Sequence, residues 1–404
     1  MSIVYLIFIL LAIYFSYKYD GIEEYDSHKQ HRLWLMCIYL ICLTGFSYGL
    51  GADKFSYMAL FEDYPEDFSE LGDYIWLQFM KGAQTPLWVI VNMFCKSVFH
   101  SFYAVQILES AAINISVCYL ISRNTHRYFL FLIVYFVTLQ YFIFNTEIMR
   151  EGFALSFVLI GMDAYTRGKK WVFYVMLPLG LMFHLSAAIA ILFPFTRFKL
   201  SWYTLPIAIA ISFCIWLLSD KLLSAVMTAV FGGQGALTQK IMFYSIMASS
   251  IFGYIRALAT YLVFPYIIMF SLVSTEPSEE RRQRMTRWTS FMLVLAIMAC
   301  AFAGFVRFYN YVQIFYLIML TEFIYNLVRT REHLIVRIGT FAGTLFLVIL
   351  SYFSHYDLTD TYFYDFFYPY TCILNETDDV FIREYAHYDA TTVEIDDKNV
   401  RDVD

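Results

Sequence analysis

Charge is scarce in this chain. Lys, Arg, Asp and Glu make up 15 % of its 404 residues, against about 25 % in soluble domains. No C-x-x-C pair occurs. Cys37, Cys42, Cys95, Cys118, Cys214 and Cys300 fall inside apolar runs and Cys372 lies just outside one. They read as packing residues rather than a disulfide framework or zinc site. Walker A, H-E-x-x-H, G-x-S-x-G and Rossmann fingerprints are missing. There is no heptad pattern and no repeat of fixed period. His28 and His31 lie three apart in a charged stretch without carboxylate or cysteine partners, which makes them poor metal ligands. These absences leave no cofactor, no metal and no nucleic acid to expect.

Apolar sequence fills the space. Hydrophobic residues are 60 % and aromatics 20 %, with 34 Tyr and 41 Phe, a composition suited to lipid and membrane interfaces. At ~20 residues per crossing, candidate spans fall near 2–17, 33–50, 86–101, 103–122, 128–145, 147–166, 171–196, 200–219, 252–273, 288–306 and 309–327, with a further one near 335–353. The expected fold is an all-α, polytopic integral membrane protein with eleven to twelve transmembrane helices. The first span is too long, and too weakly followed by small residues, for a cleaved signal peptide.

What charge exists is segregated. Residues 376–404 carry −7 and residues 51–85 carry −5, against −6 for the whole chain, so the remainder is +6. One membrane domain over 1–370 is expected, followed by an acidic, solvated tail over 371–404. The basic stretches SEERRQRMTR (278–287) and RTREHLIVR (329–337) are expected on the cytoplasmic side. The acidic 51–85 segment is expected outside, with FSELGDYIWLQFMKG as an amphipathic surface helix. Counting every span as a crossing puts RGKK (167–170) on the wrong side. A re-entrant 86–101 and an irregular piece near 222–250, around FGGQG, would restore the positive-inside pattern.

Three basic side chains interrupt the apolar body: Arg150, His184 and Arg307. A charge near the bilayer centre costs ~2.5–3.5 kcal/mol on insertion scales and usually faces a protein interior or a wet cavity. Helix–helix glue or a snorkelling end would explain any one of them. All three together favour a basic cavity for an anionic group. Arg suits phosphate because its planar fork binds bidentately and stays charged. Asn145 and Arg150 bracket a helix start. If the helix begins at Glu147, its free N–H groups and Arg150 form a joint anion site. His184, near mid-span, is either a satisfied structural group or a base or hydrogen-bond donor to a reacting oxygen. Asp53 and Tyr57 in GADKFSY share a helix face. The acid reads as a helix cap or as a carboxylate facing a sugar acceptor.

In this order the pieces resemble the EpsG family, relatives of Wzy-type polysaccharide polymerases. The resemblance rests on GADKFSY (51–57), PLWVIVN (86–92), NTEIMREGFAL (145–155), RGKK, FHLSAAIAIL (183–192), GFVRFYNY (304–311) and FFYPY (366–370), over about residues 45–370. Tyr48-Gly49-Leu50 departs from the Arg that often precedes the Gly-x-Asp, and Thr85-Pro86 departs from the usual Glu-Pro. The resemblance implies a GT-C-like, multi-pass enzyme of the bacterial inner membrane. It would polymerise undecaprenyl-diphosphate-linked oligosaccharide repeat units into capsule, exopolysaccharide or O-antigen, alongside a flippase and a chain-length regulator. Asp53 and His184 would then be catalytic, and Arg150, Arg307, Asn145, Tyr57 and Tyr311 would bind the substrate and its diphosphate. A lipid-linked glycan flippase and a glycan-modifying membrane acyltransferase are the alternative classes.

Overall fold

The computed structural model describes residues 2–51, 53–81, 84–218, 251–327, 333–356 and 361–374. The FGGQG turn and the acidic tail beyond residue 374 lie outside the described residues. Among the described residues the regular structure is helical apart from one antiparallel pair, His355–Tyr356 with Thr361–Tyr362. It packs as two compact units that interleave along the sequence. The first holds residues 1–160, 175–185 and 346–404, and the second 161–174 and 186–345.

The first unit begins with α1 (Ile3–Tyr19), which is apolar on every face. Phe8 and Phe15 are buried, and they meet Phe136 and Phe129 at ring distances of 5.0 and 5.3 Å. Its outer Ile3, Leu10, Ile13 and Tyr17 stay exposed, as a lipid-facing helix requires. Asp20 closes α1 and caps the next layer, accepting from the Phe129 and Leu130 N–H groups at the start of α7 (Tyr128–Val137). α2 (Ser27–Gly45) starts on the side-chain cap of Asp26. It therefore includes His28 and His31, six residues ahead of the expected span. Gly45 lets α2 approach α6 (Phe102–Asn124) closely: a Cβ there would lie 3.3 Å from Ile107 Cγ1. Such small-residue contacts are how membrane helices gain close packing.

The short helices α3 (Asp53–Glu62) and α4 (Leu71–Lys81) follow. α4 lays Leu71, Tyr74 and Ile75 on a small core of Tyr64, Val89 and Met93, and leaves Trp76, Leu77 and Met80 exposed. α5 (Pro86–Phe99) has 14 residues. At 1.5 Å per residue it spans ~21 Å, less than a ~30 Å hydrocarbon core.

α7 and α8 (Gln140–Glu147) form one apolar stretch bent by 82°. The bend falls at Leu139, held at φ 61°, and α8 closes with a π-turn over Ile143–Glu147. α9 (Met149–Thr166) and α10 (Lys170–Phe183) come next, then a 3₁₀ stretch over Leu185–Phe195.

Within the second unit, the helix Glu279–Ala301 takes its N-cap from Ser278, and Glu279 and Glu280 pair with Arg282 and Arg284. The basic stretch SEERRQRMTR, outside the expected spans, is thus largely the charged start of a helix. i,i+3 and i,i+4 ion pairs of this kind support helix where apolar periodicity gives no signal. Farther along, Trp288 stacks on Phe315 of the helix Val306–Asn326 at 4.7 Å, and Phe291 meets Phe193 at 5.4 Å.

Among the described residues three helices are long and apolar enough to cross a membrane: Phe102–Asn124, Ile251–Thr275 and Leu334–Tyr352. The bent α7–α8 pair makes a fourth. The eleven to twelve expected crossings therefore do not appear one for one as long, uninterrupted apolar helices. α1, α5, α10 and α11 (Thr204–Leu217) are apolar but run 17 residues or fewer. The expected single span 171–196 is divided at His184.

Candidate functional site

The GADKFSY loop is shaped by what it rests on. Gly51 adopts φ +85°, and a Cβ there would lie 2.6 and 2.7 Å from Thr146 Oγ1 and Glu147 Oε1. A side chain would be both strained and blocked. The loop's other edge is held by a distant segment. The Gly51 N–H donates to Phe366 O and the Tyr48 N–H to Thr371 O, and Ser47 bridges Cys372. Tyr48, at the departure from the family pattern, thus has a backbone role.

From this loop α3 begins at Asp53, whose N–H donates to Glu147 Oε2 at 3.4 Å. A carboxylate at a helix start is favoured by the free N–H groups and the dipole. One turn later Tyr57 presents its ring to the Arg150 guanidinium, 6.0 Å from Cζ to the ring centre. α3 is closed at its other end by Lys96, whose ammonium donates to Phe61 O and Glu62 O.

An aromatic run links this corner to the segment carrying His184. Tyr57 meets Trp88 edge-on at 5.6 Å, and Trp88 meets Phe153 at 6.2 Å. Phe153 stacks on Phe183 at 4.7 Å with an 8° tilt. Thr85 does not use its hydroxyl to cap α5. The hydroxyl donates instead to Phe183 O, tying the start of α5 to the residue before His184. His184 itself is half-buried at the joint between α10 and the 3₁₀ stretch, and its N–H closes α10 on Gly180 O at 2.9 Å. The first unit therefore gathers Asp53, Tyr57 and Arg150, and links them through packed rings to the backbone at His184.

Asn145 is placed elsewhere, and the helix start differs from expectation. α9 begins at Met149, not Glu147. Asn145 is fully buried in a polar cluster inside the helix layer. Its Oδ1 accepts from Thr44 Oγ1 at 3.0 Å and Asn114 Nδ2 at 2.7 Å, and its Nδ2 donates to Tyr141 O at 2.7 Å. The helix that carries Arg150 thus opens two residues later than Glu147, and the Asn145 amide is taken up by hydrogen bonds between α2, α6 and α8. Asn145 lies within the π-turn and ties that turn to α2 and α6, just ahead of the helix that carries Arg150.

Arg307 and Tyr311 belong to the second unit. Arg307 is the second residue of Val306–Asn326 and is exposed. Tyr311 is fully buried, and its hydroxyl lies 2.8 Å from Ser186 Oγ.

Of the buried ionisable residues that escaped the sequence reading, Lys54 and Glu109 lie against the corner of Asp53 and Arg150. Lys54, beside Asp53, is fully buried and donates from Nζ to Ser47 Oγ at 2.8 Å. α3 lies in the 51–85 segment, outside the spans. Burial pushes the Lys54 ammonium down to about 7, against the upward pull of Glu109 and Glu147. Glu109 is a lone carboxylate in the apolar α6, also fully buried. Its position in mid-span was the available signal. Among the described residues no three His, Cys, Asp or Glu side chains group as a metal site.

The sequence model of the EpsG family matches residues 32–372. The chain belongs to the EpsG family. That match spans α2 through the Cys372 bridge and includes every motif described above. With the apolar helices, it marks a membrane protein linked to exopolysaccharide synthesis. No curated protein and no solved structure gives a significant match.

Proposed function

We propose that this protein is a membrane glycosyltransferase, GT-C-like in fold, that polymerises undecaprenyl-diphosphate-linked oligosaccharide repeat units. The reaction is placed on the outer face of the bacterial inner membrane, with a flippase supplying the units and a chain-length regulator acting beside it. The observation that carries this reading is Arg150. It stands at a helix start on the ring of Tyr57, one turn from Asp53, in a member of an exopolysaccharide-linked family.

In this reading an acceptor sugar hydroxyl attacks the anomeric carbon of the donor. The bond from that carbon to the diphosphate oxygen breaks, and the electron pair leaves with the diphosphate. Arg150 holds the diphosphate and offsets the charge that develops on it, an effect strongest in a site sheltered from water; the family resemblance gives Arg307 the same kind of ligand. Asp53 or His184 accepts the hydroxyl proton. Tyr57 and Tyr311 supply flat surfaces and hydroxyls for sugar rings. Asn145 acts by tying down the turn just ahead of the helix that carries Arg150.

The test is a product assay in membrane vesicles supplied with lipid-linked repeat units. Long chains are the expected product. Translocated single units would mean a flippase, and modified single units an acyltransferase. Glycan extension from a nucleotide sugar, with no lipid-linked donor present, would overturn the proposal.

A further inference from the structure

Lys54 and Glu109 are an unusual pair to find in the interior of this protein. Both are fully buried. Neither oxygen of the Glu109 carboxylate has a hydrogen-bond partner among the described residues. A buried polar atom left this way demands an explanation. They are linked through Ser47: the Lys54 ammonium donates to Ser47 Oγ at 2.8 Å, and Gln106, one turn from Glu109 on α6, reaches the same oxygen at 3.5 Å.

The pair also sits between the two elements that carry the candidate site. Lys54 is on the first turn of α3, next to Asp53 and three residues before Tyr57. Glu109 packs on the first turn of α9: a Cβ on Gly152 would lie 2.3 Å from its Oε1, and Gly152 is two residues after Arg150. Gln106, one turn earlier on α6, donates to the carbonyls of Thr44, Gly45 and Ser47, the strand of chain leading into α3. One face of α6 thus touches both sides of the site.

Stability is a poor reason for this arrangement. The Lys54 ammonium titrates near 7 folded, against 10.5 as its ordinary value. Between those values the unfolded chain binds more protons, so this group's contribution to stability rises with pH. Keeping Lys54 charged in the fold is therefore a cost. Buried pairs of this kind are often replaced by apolar residues with no loss, or a gain, of stability.

We propose that Lys54 and Glu109 are positioning residues, a buried polar pair linked through Ser47 and α6 that holds the Asp53–Tyr57 turn in register with the Arg150 turn. The proposal rests on the reading of Asp53, Tyr57 and Arg150 as site residues.

The test uses the full-length protein in nanodiscs and the apolar double variant Lys54→Met/Glu109→Leu. Its melting temperature should equal or exceed that of the wild type. Amide exchange should rise about tenfold in both 51–57 and 144–153, a local loosening with the rest of the fold kept. Cellular polymer should fall by about tenfold or more. Unchanged exchange in both segments overturns the proposal, whatever happens to melting. If the apolar variant does not fold, the reversed pair Lys54→Glu/Glu109→Lys decides. It should recover protection in both segments relative to Lys54→Glu alone, and no recovery also overturns the proposal. Exchange needs no substrate, so expected exchange without any polymer from the wild type would reject the polymerase reading only.

Discussion

Two arginines open helices after a break in the chain, and their surroundings differ. At Arg150 the break is built from polar contacts. The bend at Leu139, the π-turn and the buried Asn145 cluster fix the approach, and Gly51 and Gly152 admit side chains where no Cβ fits. At Arg307 the break is short and aromatic. Phe302 meets Phe305 tilted at 5.5 Å, Phe305 meets Phe308 edge-on at 5.1 Å, and the arginine itself is exposed. A hydrogen-bonded turn has one low-energy geometry, whereas packed rings slide. The first break is suited to holding a charge in one place and the second to letting a charge follow its ligand.

The largest expected effect lies at a third break, His184. His184→Ala should lower polymerisation by ~10²–10⁴-fold, the usual worth of a positioned acid or base, while insertion and expression stay normal and single lipid-linked units accumulate. A loss below tenfold in a well-folded variant would assign His184 to packing.

The two arginines come next. Arg150→Lys should cost ~10²–10³-fold in polymer formed, on the scale of removing one fixed donor from a developing charge, because Lys cannot reproduce the bidentate fork. Arg307→Lys should also fail, but by a smaller factor, since an exposed side chain has room to readjust. Equal losses at both positions would erase the contrast, and wild-type rates at both, with normal protein levels, would sink the diphosphate assignment.

Asn145→Ala should act on stability. It leaves the Thr44 hydroxyl and the Asn114 amide short of a buried acceptor, at about 1–3 kcal/mol, measurable as a drop in melting temperature. Asn145→Asp should not rescue it. The smallest effect is expected far from either break. Ser278→Ala removes the N-cap of Glu279–Ala301 and should cost about 1 kcal/mol with polymer length unchanged.

Much of this was legible in the residues. GADKFSY, NTEIMREG and FHLSA were singled out as motifs, and the Tyr57 ring of the first faces the Arg150 guanidinium of the second. Helix starts were harder to read. Ser27 and Glu279 begin helices in charged sequence, where side-chain caps and ion pairs rather than apolar runs give the signal. The 82° bend was hidden because a bent helix and a straight one share the same apolar composition. Asn145 was read as a ligand group because nothing in the sequence reveals that Thr44, Asn114 and Tyr141 converge on it from distant helices. Lys54 lay inside a noted motif, but its burial is a matter of tertiary packing that the motif does not show.

The pairing of residues 46–51 with 366–373 bears on how the protein is made. Gly51, Tyr48 and Phe46 take their backbone partners from Phe366, Thr371 and Ile373, and Tyr5 reaches Phe367 O. These partners leave the ribosome more than three hundred residues after the loop they complete. Until then the N-terminal helices wait in the membrane with the Asp53 turn unfinished. A nascent or truncated chain ending before Phe366 lacks these backbone partners, so the Asp53 turn is completed only by a segment made late.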